Sequence, residues 1–197
     1  MPINMTPRLV VITGPMFCGK SEELLRRLRL HGYANDSVLA LKPKLDSRQG
    51  SIRSRRLGIG GSVTVEEFPA FEVGGAREFS ALLRKHHPDV LAIDEAQFFD
   101  SWLFAKVNEL LLQQNLGITI YVVGLDLDAW GQPFGQMGNF MARADEVLKF
   151  TAICMLCHEP AGLSCKIGGG SRNLVEVGDG DIYQARCRRC WSPPASA

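Results

Sequence analysis

The sequence predicts an α/β protein in which a parallel sheet is flanked by helices and followed by a small C-terminal module. Short apolar runs alternate with longer helical patterns, the order expected when crossover helices connect parallel strands. A glycine-rich motif joins the first apolar run to the first helical pattern. After about residue 151 the alternation gives way to a segment rich in Gly, Cys and Arg. We therefore expect one domain at residues 1–150 and a second at residues 151–197.

The first elements follow directly from hydrophobic patterning. Residues 9–13 are an apolar run typical of a buried strand, and the helical pattern at 21–31 should end at Gly32. Residues 37–41 predict the second strand. Residues 46–62 are rich in Arg, Ser and Gly and have no periodicity, so we expect a loop that moves with ligand.

The later elements of the larger domain continue the alternation. Pro88 should stop the helix that precedes it. The final apolar run is the most hydrophobic, which favours a position at the centre of the sheet. We expect a strand at 63–68, a helix at 77–87, a strand at 89–94, a helix at 101–115 and a strand at 118–125.

Composition narrows the functional classes. With 197 residues, 46% hydrophobic and 22% charged, the chain should be globular rather than disordered. Its formal net charge of +1 gives no general reason to expect nucleic-acid or membrane partners. It shows no secretory pattern and no run of 18 apolar residues. We expect a soluble cytoplasmic protein, and its reducing compartment favours metal-binding or structural roles for the six cysteines over disulfides.

The glycine-rich motif matches G-x-x-x-x-G-K-[ST], the pattern of a phosphate-binding P-loop. Its glycines let successive backbone N–H groups turn toward phosphates, while Lys20 can reach phosphate oxygens and the Ser21 hydroxyl can ligate Mg²⁺. The strand before the motif and the helix after it are the context that such a loop requires, so it predicts a bound nucleoside triphosphate. Its members are Gly14, Pro15, Met16, Phe17, Cys18, Gly19, Lys20 and Ser21.

A pair of carboxylates follows the strand expected at 89–94. Asp94 would lie at the carboxyl edge of the sheet, where ligands of doubly wound folds bind, and could hold Mg²⁺ through water. Glu95 points differently and could take a proton from an attacking hydroxyl or water. An acidic pair can also simply cap a strand before a turn, but the P-loop upstream favours the catalytic interpretation.

Two C-x-x-C pairs in the C-terminal module predict a structural Zn²⁺ site. Cys154 and Cys157 form the first pair, and Cys187 and Cys190 form the second. Four thiolates complete a closed tetrahedral shell, so His158 beside the first pair is not needed as a ligand. Cys165, in the long spacer between the pairs, is interpreted as an ordinary thiol.

The chain resembles the cellular, zinc-containing (type II) thymidine kinase family. Three features occur in the same order in both: a P-loop, a strand that ends in Asp-Glu, and a zinc site divided between two cysteine pairs. The resemblance spans residues 9–191. It implies an ATP-dependent enzyme that phosphorylates the 5′-hydroxyl of thymidine to give dTMP in nucleotide salvage. The motifs that carry it are residues 14–21, 46–48, 54–55, 93–99, 124–126, 132–135 and 177–183.

The resemblance also implies residue roles. Glu95 would be the general base, Lys20 and Ser21 would act with Mg²⁺ on the phosphates of ATP, and Asp46 and Arg48 would lie near the transferred phosphoryl group. Arg48 would stabilise charge in the transition state. A lasso between the zinc knuckles would close over the base, largely through backbone groups. Residues expected around the nucleoside are Met16, Phe98, Leu125, Phe134, Ser164, Val177, Gly178 and Tyr183. A homotetramer and feedback inhibition by dTTP are likewise implied.

Three departures from the family pattern stand out. Ala129 occupies the place of an aromatic, and Trp130 follows it where relatives have Arg. Cys18 replaces the Ser of many relatives within the P-loop, and residues 54–58 vary the usual loop by one position. None of these changes touches Lys20 or Glu95.

The expected partners are thus thymidine and ATP, without nucleic acid or a membrane. An alternative from another class is a P-loop ATPase whose zinc module grips nucleic acid through Arg186, Arg188 and Arg189. Three arginines beside a zinc knuckle can equally be a solvated face. A catalytically inactive nucleotide-binding regulator is a third possibility, against which the intact P-loop and carboxylate pair argue.

Overall fold

A computed structural model describes residues 6–44, 50–57, 62–113, 116–168 and 182–194. Within these ranges, the part of the chain from residue 8 to residue 149 contains eight strands and four α-helices. The strands are β1 (Arg8–Thr13), β2 (Val38–Pro43), β3 (Ser51–Leu57), β4 (Val63–Pro69), β5 (Phe71–Val73), β6 (Val90–Ile93), β7 (Thr119–Gly124) and β8 (Glu146–Lys149). The helices are α1 (Lys20–Tyr33), α2 (Ala76–His86), α3 (Trp102–Leu111) and α4 (Met137–Arg143).

Six strands form one sheet in the order β5-β2-β6-β7-β1-β8. Every neighbouring pair in this sheet is parallel. The carboxyl ends of β1, β6 and β7 therefore meet at one edge, and β7 lies inside the sheet as expected. The predicted class, a parallel sheet flanked by helices, is confirmed.

The alternation of side chains along β1 explains why helices cover both faces. Leu9 and Val11 belong to one core with helices α2, α3 and α4, whereas Val10 and Ile12 belong to the other. Helix α1 closes the second core with a stripe of leucines, of which Leu24 is fully buried. Burying one such side chain stabilises the fold by about 1.5–3 kcal/mol, so these two cores dominate the stability of the sheet.

The expectation of a loop at 46–62 is wrong over part of its length. Strand β3 pairs antiparallel with β4 in a hairpin outside the main sheet. Ile52 is buried against the α1 side of the sheet, while Arg53 forms a 2.8 Å ion pair with Glu67 across the hairpin. The Arg and Ser residues on both sides of Ile52 in the sequence obscure the alternation expected of a strand. Residues 45–49 and 58–61 lie outside the described ranges, and movement with ligand stays a prediction.

The C-terminal segment, residues 152–168 and 182–194, is built from short hairpins. Strands β9 (Ala152–Ile153) and β10 (Pro160–Ala161) form one, and β11 (Leu163–Lys166) and β12 (Tyr183–Arg186) form the other. A cluster of small buried residues lies beside the four paired cysteines: Ala152, Cys154, Ala161 and Ala185. Within the described ranges, Tyr183 is the one large apolar side chain of this segment that is buried. None of the helices in the described ranges is long and apolar enough to cross a membrane.

Candidate active site and cysteine cluster

The P-loop leaves β1 and enters α1 through backbone conformations that require glycine. Gly14 has φ +138°, and a Cβ there would lie 2.4 Å from the carbonyl oxygen of Phe150. Gly19 has φ +87°, and a Cβ there would meet nothing within 4 Å, so the loop is open on this side. Phe17 also adopts a positive φ of 63°. Such a sequence of conformations turns backbone N–H groups inward, which fits the phosphates of a nucleotide.

Lys20 is held over its own loop. Its Nζ donates to the Pro15 carbonyl oxygen at 2.6 Å and lies 3.8 Å from Cys18 Sγ. Burial raises the pKa of the Cys18 thiol, and the nearby Lys20 charge only partly offsets this effect. Cys18 is therefore protonated at neutral pH and packs against the small core of the C-terminal segment.

The carboxylate pair lies at the end of β6, at the same sheet edge as the P-loop. Asp94 is buried, and its Oδ1 accepts a hydrogen bond from the backbone N–H of Glu95 at 3.0 Å. Glu95 adopts φ +51° and ψ +41°, a left-handed conformation that costs a non-glycine residue about 1–3 kcal/mol. Strain of this kind persists where surrounding structure fixes the residue, and it is common at functional sites.

Gln97, to which the sequence had assigned no role, contacts Glu95 directly. Its Nε2 donates to Glu95 Oε2 at 2.6 Å, and its Oε1 accepts from the backbone N–H of Leu125 at 3.0 Å. Gln97 lies in a 3₁₀ turn, Ala96–Phe98, and is 3% exposed. The sequence feature that could have pointed to this contact is an amide side chain in an otherwise apolar run immediately after the carboxylate pair.

Two aromatics expected near the nucleoside do meet. The rings of Phe98 and Phe134 pack edge to face, with centroids 5.5 Å apart. Phe134 is anchored by its N–H to the Asp126 carbonyl oxygen, and Leu125 is half-buried beside this turn. The structure thus brings the aromatic pair to the carboxyl end of β7.

The loop that carries the departure at 129–130 is organised by Asp128. Its Oδ1 accepts hydrogen bonds from the N–H groups of Trp130 and Gln132, both at 2.9 Å. Ala129 is buried and Trp130 is half-buried. The backbone of this turn is therefore fixed independently of its unusual side chains.

Ser164 joins the P-loop to the C-terminal segment. Its Oγ accepts from the backbone N–H of Met16 at 3.0 Å, and its carbonyl oxygen accepts from Trp191 Nε1 at 3.2 Å. Trp191 also approaches Gly131, where a Cβ would lie 3.3 Å from its ring. Tyr183 is buried on β12. Asp46, Arg48, Val177 and Gly178 lie outside the described residues.

The four predicted zinc ligands form one cluster. The Sγ atoms of Cys154, Cys157, Cys187 and Cys190 all lie within 4.8 Å of one another. Tetrahedral zinc with Zn–S distances of about 2.3 Å needs sulfurs about 3.8 Å apart, and Cys157 Sγ and Cys187 Sγ are separated by 3.6 Å. The donor set and its spacing fit Zn²⁺.

The two knuckles have equivalent turns. The N–H of His158 donates to the Cys154 carbonyl oxygen, and that of Trp191 donates to the Cys187 carbonyl oxygen, each at 2.9 Å. Burial opposes ionisation of Cys154, but backbone N–H groups of the two turns lower the pKa of this thiol to about 6. Cys165 lies outside the cluster, and its thiol faces the Ser192 carbonyl oxygen, as expected of an ordinary buried cysteine.

The basic patch considered for nucleic acid is smaller than the sequence suggested. Arg186 is buried and donates to the Gln184 side chain, so only Arg188 and Arg189 are exposed. Hydrogen bonds to Cys157 and Cys190 raise the pKa of Arg189. Its charge is thus engaged with the cysteine cluster.

Comparison with known proteins identifies relatives over most of the chain. A family model described as thymidine kinase matches residues 7–191. Proteins named thymidine kinase from Mesomycoplasma hyopneumoniae strains 7448, J and 232 are each 38% identical over 185 residues. These matches cover 92% of this chain and 94% of each relative.

Proposed function

The chain belongs to the thymidine kinase family, and on that premise we propose that it transfers the γ-phosphoryl group of ATP to the 5′-hydroxyl of thymidine. The product would be dTMP, as in nucleotide salvage. The observation that carries the proposal is the placement of a P-loop and a strained glutamate at the same edge of the parallel sheet. Phosphate binding and proton abstraction require these two elements in proximity.

The phosphates of ATP would lie in the turn formed by residues 14–21. On binding of ATP, the Lys20 ammonium group would give up its hydrogen bond to the Pro15 carbonyl oxygen and donate to phosphate oxygens instead. Charged phosphate oxygens are the stronger acceptors for an ammonium group. The Ser21 hydroxyl and, through water, the Asp94 carboxylate are the proposed Mg²⁺ ligands. When bound, Mg²⁺ would neutralise charge on the phosphates. Asp46 and Arg48 are proposed beside the transferred phosphoryl group, where Arg48 would stabilise the transition state.

Glu95 is the proposed general base. The proton of the 5′-hydroxyl passes to the Glu95 carboxylate as the hydroxyl oxygen bonds to the γ-phosphorus, and the bond from that phosphorus to the β-phosphate oxygen breaks to release ADP. A positioned base of this kind accelerates such a step by about 10²- to 10⁴-fold. The hydrogen bond from Gln97 supports the assignment because it holds the carboxylate in one orientation.

The nucleoside would bind between the sheet edge and the C-terminal segment. Phe98 and Phe134 would form an apolar wall, supported by their edge-to-face packing. We propose a nucleotide-binding domain at 1–150 and a zinc-binding lasso domain at 151–197 that closes over the nucleoside. The remaining proposed contacts are Met16, Leu125, Ser164, Val177, Gly178 and Tyr183.

Assembly and regulation are proposed from family membership. On that ground we propose a homotetramer, feedback inhibition by dTTP and a cytoplasmic location. Zn²⁺ on the four cysteines would be structural, tying residues 154–157 to residues 187–190.

An ATP-consumption assay with thymidine or DNA added separately tests the proposal. Consumption should start only when thymidine is present and should yield dTMP. Stimulation by DNA without a nucleotide product would instead favour the nucleic-acid-dependent ATPase. A preference for purine deoxynucleosides would contradict thymidine as the substrate but would leave the assignment as a nucleoside kinase unchanged.

A further inference from the structure

We propose that Gln97 is the positioning residue for the Glu95 carboxylate, an inference that rests on the general-base role given to Glu95 above. The two side chains meet through one short hydrogen bond, from Gln97 Nε2 to Glu95 Oε2 at 2.6 Å. A bond from an amide donor to a carboxylate is charge-assisted and stronger than one between neutral groups. The left-handed backbone conformation of Glu95 already limits where its side chain can lie, and this hydrogen bond further restrains the side-chain torsions.

The orientation of the Gln97 amide is fixed by its two partners. The backbone N–H of Leu125 can only donate, so the atom facing it must be Oε1. The carboxylate of Glu95 accepts, so the atom facing it must be the amide nitrogen. One side chain therefore links the proposed base, which follows β6, to the proposed nucleoside wall, which follows β7.

Two glycines make room for Gln97. A Cβ at Gly124 would lie 2.4 Å from Gln97 Oε1, and a Cβ at Gly135 would lie 2.4 Å from the Gln97 carbonyl oxygen. The side chain is 3% exposed and enclosed from both sides. The amide can thus move little without displacing the strand end or the turn that carries Phe134.

This fixation matters because proton abstraction depends on geometry. A general base must reach its proton at about 2.6–3.2 Å, and misplacement by about 1 Å can cost on the order of 10²-fold in rate. In the proposed mechanism, Gln97 contacts neither thymidine nor ATP. It acts by holding the Glu95 carboxylate, which contacts the 5′-hydroxyl of thymidine.

A double-mutant cycle on the full chain tests this role. Gln97→Met keeps the side-chain length but removes both hydrogen bonds, and it should lower kcat by roughly 10- to 100-fold. The KM values for thymidine and ATP should change little. In a Glu95→Gln background the same substitution should cause no further loss, because the group it positions is no longer a base. Gln113→Met, on an exposed glutamine after α3, is the matched control and should be inert.

Gln97→Glu provides a second test. It retains the acceptor for the Leu125 N–H but places a second carboxylate against Glu95, so the pair holds a proton more tightly. The kcat should again fall, its rise with pH should move to higher pH, and the thermal midpoint should drop at pH values where both groups are ionised. An effect confined to KM, a loss that persists in the Glu95→Gln background, or failure of both Gln97 variants to fold would overturn the positioning role. Near-normal turnover of Glu95→Gln alone would instead remove the general base itself, and the inference with it.

Discussion

The parallel sheet and the C-terminal segment are held together by different means. The sheet has two cores of large aliphatic and aromatic side chains, one against α1 and one against the other helices. In the described part of the C-terminal segment, the cluster beside the cysteines consists of three alanines and Cys154, and Tyr183 is the one large apolar side chain that is buried. These residues bury too little apolar surface to offset the ordering of several loops. We therefore expect the sheet to be stabilised by its apolar side chains and the segment to depend on its cysteine cluster.

This difference suggests that the two regions have different roles. The groups proposed for chemistry, Lys20 and Glu95, lie at the edge of the apolar-stabilised sheet. The C-terminal segment reaches that edge through Ser164, which accepts the Met16 N–H, and through Trp191. Loss of metal should therefore affect nucleoside binding before it affects the sheet.

The largest effect is expected at the sheet edge. Glu95→Gln should keep the binding of thymidine and ATP but reduce kcat by about 10²- to 10⁴-fold, the usual contribution of a general base. Steady-state kinetics with calorimetric titration of both ligands would measure the two effects separately. Turnover close to that of the parent would exclude Glu95 as the base.

Metal removal should affect the other region. Chelation of zinc, or Cys187→Ser, should raise the Kd for thymidine by at least about tenfold, an effect of ~1.4 kcal/mol, and change the Kd for ATP far less. Cys165→Ser is the matched control, because this buried thiol lies outside the cluster. Metal analysis comes first, and fresh protein with much less than about one zinc per chain would contradict the Cys₄ site.

An effect of similar size is expected where the two regions meet. Trp130 is half-buried beside Ala129, and we expect it to restore the wall that the missing aromatic would provide. Trp130→Ala should then raise the KM for thymidine about 5- to 30-fold, as expected for loss of 1–2 kcal/mol of contact. An unchanged KM, together with tighter thymidine binding by Ala129→Phe, would show that Trp130 points away.

The smallest effect should come from an ion pair on α1. Hydrogen bonds from Arg26 and Arg27 lower the pKa of Glu23 to about 2, against an ordinary value of 4.5. A lowered pKa stabilises the fold above pH 4.5, and this contribution is lost as the pH falls toward 2. Solvent screening reduces it, so Glu23→Gln should lower the free energy of unfolding by only about 1 kcal/mol at pH 7. Urea unfolding of both proteins at pH 7 and pH 3 should show the difference shrinking with acidity, whereas a constant difference would mean the pair does not titrate.

Much of the sheet could be predicted because its strands are short apolar runs between helical patterns. The strand at β6 and the helix at α2 were expected within a residue or so of where they lie. Strand β3 could not be predicted, because its two apolar residues, Ile52 and Leu57, are separated by four Arg and Ser residues and show no alternation. Helix α4, β8 and the short C-terminal hairpins were also missed, since each has too few residues to establish a period.

The candidate site was predictable where a motif specifies geometry by itself. The P-loop and the cysteine pairs have fixed spacings, and the structure brings the four thiols together as expected. Gln97 was not predictable as a partner of Glu95, because its contact depends on the left-handed turn at Glu95 and on glycines at 124 and 135. These are properties of the folded chain rather than of the local sequence.

Identification of the product by phosphorus NMR tests the central proposal most directly. With thymidine, ATP and Mg²⁺, the protein should form thymidine 5′-monophosphate and ADP in equal amounts, and the Glu95→Gln variant should form neither at a comparable rate. Release of inorganic phosphate without a phosphorylated nucleoside, or phosphorylation of the 3′-hydroxyl, would contradict the account.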